Sequence, residues 1–163
     1  MTESKPERPI SKYPSNTAEK IDRTLPAVAE QAERFTRVRE SHKYEAIEDY
    51  VELIDDLISI NGEARLVDVA NRMGITQPTA SKTLARLQRD GYITSEPYRS
   101  IFLTDKGKQL AEESRAKHEI VYEFLLAIGV SPDIAERDSE GMEHHVSDET
   151  LKIFKAFTDS RSS

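Results

Sequence analysis

Between residues 64 and 103 the spacing of apolar residues changes from a helical to an alternating period, and turn residues mark each change. Val67, Val69, Ala70 and Met73 suit a short helix closed by Gly74. Thr76 suits the N-cap of the next helix, Pro78 is tolerated in its first turn, and Ala80, Leu84 and Leu87 give it a buried face. Asp90-Gly91 ends that helix. Tyr92-Ile93-Thr94 and Ile101-Phe102-Leu103 follow as two short β-prone runs around a polar loop over 95–100. Helix, helix, two-stranded hairpin is the order of a winged helix-turn-helix.

The flanks read as helix. After Pro26 there is neither glycine nor proline as far as Ile60. This predicts a weak helix over 27–39, a bend around 41–43, and a strong helix over 44–60 ended by Asn61-Gly62. In the strong helix Ile47, Tyr50, Leu53, Ile54, Leu57 and Ile58 share one face, with Glu45, Asp49, Glu52 and Asp56 as an acidic stripe beside it. A solvated face explains such a stripe, and periodicity alone does not select ligands from it. Beyond the hairpin the spacing predicts a long helix over 105–128 ending at Gly129, a short helix over 132–137 capped by Ser131, and a last helix over 147–157. Ile120, Val121, Phe124, Leu125, Ile128, Leu151, Ile153, Phe154 and Phe157 are many apolar groups for a small arm, which favours a dimer interface over an internal core. The expected fold is mainly α. A disordered tail over 1–25 leads into a winged helix-turn-helix domain over 26–106 and a helical domain over 107–159.

The chain of 163 residues has no cysteine, which excludes disulfides, thiolate zinc sites and cysteine nucleophiles. No apolar run approaches the roughly 18 residues of a membrane span, and the charged, Pro-rich start is not a secretory signal, so the expected location is the cytoplasm. A net charge of −7 argues against nucleic acid until it is divided. Residues 64–107 carry +3, between flanks of −5 each. Local field governs contact with a phosphate backbone. Gln77, Pro78, Thr79, Ser81 and Lys82 would meet base edges and phosphates at the start of the recognition helix, with Gln77 suited to adenine. Arg86 and Arg99, the latter at the hairpin tip, suit the DNA backbone or minor groove.

The segment Glu-Gly-Met-Glu-His-His over 140–145 places Glu140, Glu143 and His144 on one helical face. Mixed oxygen and nitrogen donors suit Mn(II), Fe(II), Co(II) or Zn(II), although a solvated helix end explains the segment equally well when taken alone. His145 lies off that face by about 100° and reads as a supporting or surface residue, and His42 reads as a surface histidine. Catalysis is disfavoured. His118-Glu119 lacks a second histidine four residues on, where Tyr122 stands, and there is no Gly-rich phosphate loop or serine nucleophile motif. A winged-helix regulator that senses an organic ligand without metal is the other rival.

Glu-Asp-Tyr-Val-Glu over 48–52, the helix-turn-helix with its wing, Lys117-His118-Glu119 and the 140–145 motif occur in this order. Together they resemble the manganese-responsive branch of the diphtheria-toxin-repressor family over about residues 43–157. The resemblance implies a homodimeric, metal-activated transcriptional regulator on double-stranded operator DNA, mainly repressing manganese uptake genes, with no organic cofactor. It implies the ligands Asp49, Glu52, His118, Glu140, Glu143 and His144, holding two Mn(II) ions per subunit. Asp49, a hard oxygen donor, and the absence of an SH3-like third domain favour Mn(II) over an Fe(II)-responsive member. A cation held by all three groups of residues would fix the DNA-binding domain against the helical arm.

Overall fold

The computed structural model describes residues 25–95 and 100–161. The elements run α1 (Val28–Asn61), α2 (Leu66–Arg72), α3 (Gln77–Arg89), β1 (Ile93–Ser95), β2 (Ile101–Leu103), α4 (Asp105–Ala127), α5 (Pro132–Met142) and α6 (Asp148–Arg161). β1 and β2 pair antiparallel, with Ile93 opposite Leu103 and Ser95 opposite Ile101. The mainly helical winged fold is the one expected. The tail over 1–24 and the hairpin tip over 96–99, with Arg99, lie outside the described residues.

One core closes the winged helix. Val51, Ile54 and Leu57 of α1, Val69 of α2, Leu84 and Leu87 of α3, Ile93 and Ile101 of the wing, and Ala111 of α4 are all buried together. Thr76 caps α3 by accepting from the Thr79 backbone N–H at 3.4 Å, as the sequence predicts. Gly62, Gly74, Gly91 and Gly129 all take positive φ where helices were expected to stop. Gly107 is required for another reason: a Cβ there would stand 2.1 Å from the Tyr92 carbonyl oxygen, so α4 leaves the wing through a gap only glycine fits.

Several expectations change, among them the last helix, which runs Asp148–Arg161, and Val121, Leu125 and Leu151, which pack in an internal core. The bend at 41–43 is absent, and α1 is one helix of 34 residues. Nothing in that stretch removes a backbone donor, and Ser, His and Lys each cost only a few tenths of a kcal/mol in a helix. α5 continues past Arg137 to Met142. Ala135 and Ser139 on one of its faces are fully buried, and that packing continues the helix through its polar end. Ser131 makes no side-chain cap bond, whereas Ser147 accepts from the Thr150 N–H at 3.3 Å.

A second, smaller core joins Val121 and Leu125 of α4 to Ala135 and Leu151, with Phe124 and Phe154 stacked 3.8 Å apart. Ile128 and Ile153 remain half or more exposed. Among the described residues no helix is long and apolar enough to cross a membrane.

Candidate metal centre

α4 passes through both cores, and between them its face turns polar at Ser114, Arg115, Lys117 and His118. Opposite lie the acidic stripe of α1 and the end of α5. The result is an open cavity of about 590 Å³ lined by Asp49 and Glu52 from α1, His118 from α4, and Glu140 and Glu143 from the α5 end. His144 borders a neighbouring cavity with Glu48 and Lys117. Its Nε2 lies 3.3 Å from Asp49 Oδ1 and 3.5 Å from Glu143 Oε1. Five of the six residues expected as ligands therefore border one space, and the sixth, His144, touches two of them from behind. Glu140, together with Glu136, offers a carboxylate oxygen within 4.8 Å of a His118 ring nitrogen.

Glu143 is central. Its carboxylate is 4% exposed, with Oε2 at 2.5 Å from His118 Nδ1 and Oε1 facing His144. Burial raises its pKa despite both imidazoles, and burial raises Glu52 as well. The His144 side chain is 2% exposed. Hydrogen bonds to Asp49 and then Glu48 push it up to about 10, so at neutral pH an imidazolium balances the carboxylates around it.

Sequence reading gave no role to Glu48, yet it is one of the few buried carboxylates. Its Oε2 accepts from His144 Nδ1 at 2.6 Å, and its Oε1 accepts from Lys117 Nζ at 2.9 Å. Burial opposes its charge, but the bonds from His144 and Lys117 outweigh that and hold it below the ordinary carboxylate range. Glu48 fixes the ring so that Nε2 faces Asp49 and Glu143, the way a second carboxylate can orient an imidazole. The signal was present in the Glu48-Asp49 pair, but only packing distinguishes the buried acid from the open one. Arg115 was also missed. It bridges Asp55 and Asp56 at 2.6 Å each, binding α4 to α1 at the cavity edge.

The four carboxylates and two imidazoles fit a hard to borderline divalent cation, in a cavity that Met73 and Arg115 also line.

On α3, Gln77, Pro78, Thr79, Ser81 and Lys82 are exposed on the N-terminal part of the helix. Thr79 shares its hydroxyl with Thr76 at 2.9 Å. Arg86 is half-buried, and its Nε is shut from solvent without a hydrogen-bond partner among the described residues. The wing is held to this helix by Gln88, which donates to the Ser95 carbonyl at 3.0 Å.

A winged helix joined through a carboxylate and imidazole cluster to a second helical domain defines a metal-dependent, DNA-binding transcriptional regulator. Residues 43–101 match the N-terminal DNA binding domain of iron dependent repressors, and residues 104–162 match their metal binding and dimerisation domain. The chain is 56% identical over 142 residues to the transcriptional regulator MntR of Escherichia coli O6:H1, covering 87% of this chain and 91% of that protein. It is 59% identical over 131 residues to the transcriptional regulator MntR of Salmonella typhimurium, covering 80% and 83%. The chain belongs to the iron-dependent repressor family. Among solved structures, the manganese regulator SloR matches with a TM-score of 0.60 at 24% identity, over 69% of this chain and 53% of that one. A manganese-dependent transcriptional repressor in complex with manganese matches at 0.62 and 24%, over 69% and 52%. This chain thus spans about half the length of those solved proteins, and the likeness to them is one of fold.

Proposed function

We propose that the chain is a Mn(II)-activated homodimeric repressor that binds operator DNA in the cytoplasm and acts mainly at manganese uptake genes. One observation carries this reading: a single donor cluster spans both domains. Asp49 and Glu52 stand on α1 of the winged helix, and Glu143 and His144 stand at the α5 end of the second domain. Mn(II), at two ions per subunit, would supply the positive charge that lets four carboxylates and two imidazoles crowd together. Glu143 turns one oxygen to His118 and the other to His144, which supports its bridging two subsites. Asp49 adds a hard oxygen, which favours Mn(II) over softer ions.

The remaining residues orient the parts. Glu48 holds the His144 ring, and Lys117 holds Glu48. Gln77, Pro78, Thr79, Ser81 and Lys82 present the reading face to the major groove, and Arg86 and Arg99 serve the DNA backbone. The relatives' names and the exposed Ile128 and Ile153 support regulation and self-association respectively. Operator binding by the full chain, titrated with Mn(II), Fe(II), Co(II) and Zn(II), tests the reading. Tight binding in Mn(II) that chelator reverses is the expected result. Undiminished binding in excess chelator would make this a metal-independent regulator, and activation by Fe(II) alone would move it to the iron-responsive class.

A further inference from the structure

Two histidines stand outside the centre just described. His42 lies on α1 one turn before Glu45, and His145 lies in the turn between α5 and α6, yet the three donors come within 4.8 Å of one another. We infer that His42, Glu45 and His145 form a separate divalent-cation site that prefers Zn(II) to Mn(II). This goes beyond the proposed function and does not rest on it.

The geometry fits an ion better than a direct pair. His145 Nε2 and Glu45 Oε2 are 3.6 Å apart, beyond hydrogen-bond length. Two ligands of one tetrahedral Zn(II) stand roughly 3.3 Å apart. The imidazole centroids are 5.4 Å apart with planes at 76°. Two imidazoles on one tetrahedral ion place their ring centres roughly 5 Å apart. The backbone N–H of His145 is bonded to the Met142 carbonyl at 3.0 Å, and that of Val146 to the same carbonyl at 3.1 Å, so the turn holds His145 in place. Both histidines are exposed, which leaves a coordination position open to water.

The donor chemistry differs from that of the main centre. Two imidazoles and one carboxylate form a nitrogen-rich set, and along the divalent series such sets bind Zn(II) more tightly than Mn(II). Glu45 stands at the rim of the main cavity, so the two sites share a wall but no expected ligand. The site also has a mechanical consequence. Phe35 and Val38 on the preceding turns of α1 are half or more exposed. An ion on His42 and His145 would staple this outlying half of α1 to the turn beside the main centre.

The test counts ions on the full chain. Metal-stripped protein is titrated with Zn(II) against a chromophoric chelator, and separately with Mn(II). His42→Ala should bind one Zn(II) fewer per subunit than wild type, with Mn(II) stoichiometry unchanged. His145→Gln should behave the same way. Glu143→Ala should lose main-centre ions but keep the Zn(II) that depends on His42, so failure of the main reading and failure of this one are separable. Equal Zn(II) counts in wild type and His42→Ala overturn the site. Loss of Mn(II) equivalents in His42→Ala overturns its separateness.

Discussion

Among the described residues, the winged-helix half buries eleven apolar residues in one continuous core that Ala111 of α4 completes, whereas the second half's own core has four. Between them α4 runs through a polar seam whose members are Glu48, Glu143 and His144 rather than leucines. The first half is therefore set by packing, which has one good solution. The halves meet at the seam through charged contacts, Glu48 with Lys117 and His144, and Arg115 with Asp55 and Asp56. A ligand shifts only an equilibrium whose states it binds differently, and a charged seam between two apolar cores is where a cation has such an effect.

The comparison breaks most visibly in the core. Ile54 is fully buried, so Ile54→Ala should lower stability by about 2–5 kcal/mol in denaturant unfolding, with or without metal. A loss seen only in the metal-bound protein would mean that the two halves are not independent in the way described.

Glu143→Ala attacks the seam instead. Metal-free stability should change less than in Ile54→Ala, because burial already disfavours this carboxylate's charge and so offsets part of the loss of its contacts with His118 and His144. Mn(II)-dependent operator binding should fall by at least about 100-fold, the loss of both a ligand and the tether between domains. Wild-type response to Mn(II) in this variant would remove the seam from the mechanism.

Glu48→Gln separates orientation from ligation. The amide preserves shape but loses the charge that holds the His144 ring and Lys117. Metal affinity should drop about 10–100-fold while the number of ions bound stays the same. A lost ion would make Glu48 a ligand.

These residues also mark what was legible in the sequence. The winged helix was, because the Val69, Leu84, Leu87 period and the glycine stops are local signals that packing reinforces. The six expected ligands were named by resemblance, and spacing alone supplied only Glu140, Glu143 and His144. Glu48 was not legible, because burial of one acid among several depends on α4 and α5 arriving from 69 and 96 residues away. The pairing of His42 with His145 is equally non-local. The supposed bend at 41–43 was overread from polar residues that a helix tolerates.

On the reading head, Lys82→Ala should weaken binding to all DNA sequences and lower the salt slope by about one unit, since Lys82 is exposed. Gln77→Ala should instead relax preference at one base pair, by about 1–3 kcal/mol. Equal, uniform losses in both would displace the proposed reading face from the start of α3.

The smallest effect is a proton. In the metal-free protein His144 is held up to about 10, so at neutral pH its Nε2 carries hydrogen toward Asp49. A cation that takes this nitrogen must displace that proton. Affinity should therefore rise with pH, by at most about tenfold per unit for this group, and level off as pH passes the folded-state value. Burial raises Glu143 and Glu52 as well, so any proton they hold would add to the release, and more so as pH falls. Calorimetry of Mn(II) binding in buffers of different ionisation enthalpy reads the count directly. About one proton released at neutral pH is expected in wild type. None should be released in His144→Ala, whose affinity should also lose its slope in this range. If wild type releases no proton, His144 keeps its hydrogen in the bound state and lies outside the ligand set, leaving Asp49 and Glu143 to close that side of the centre without it.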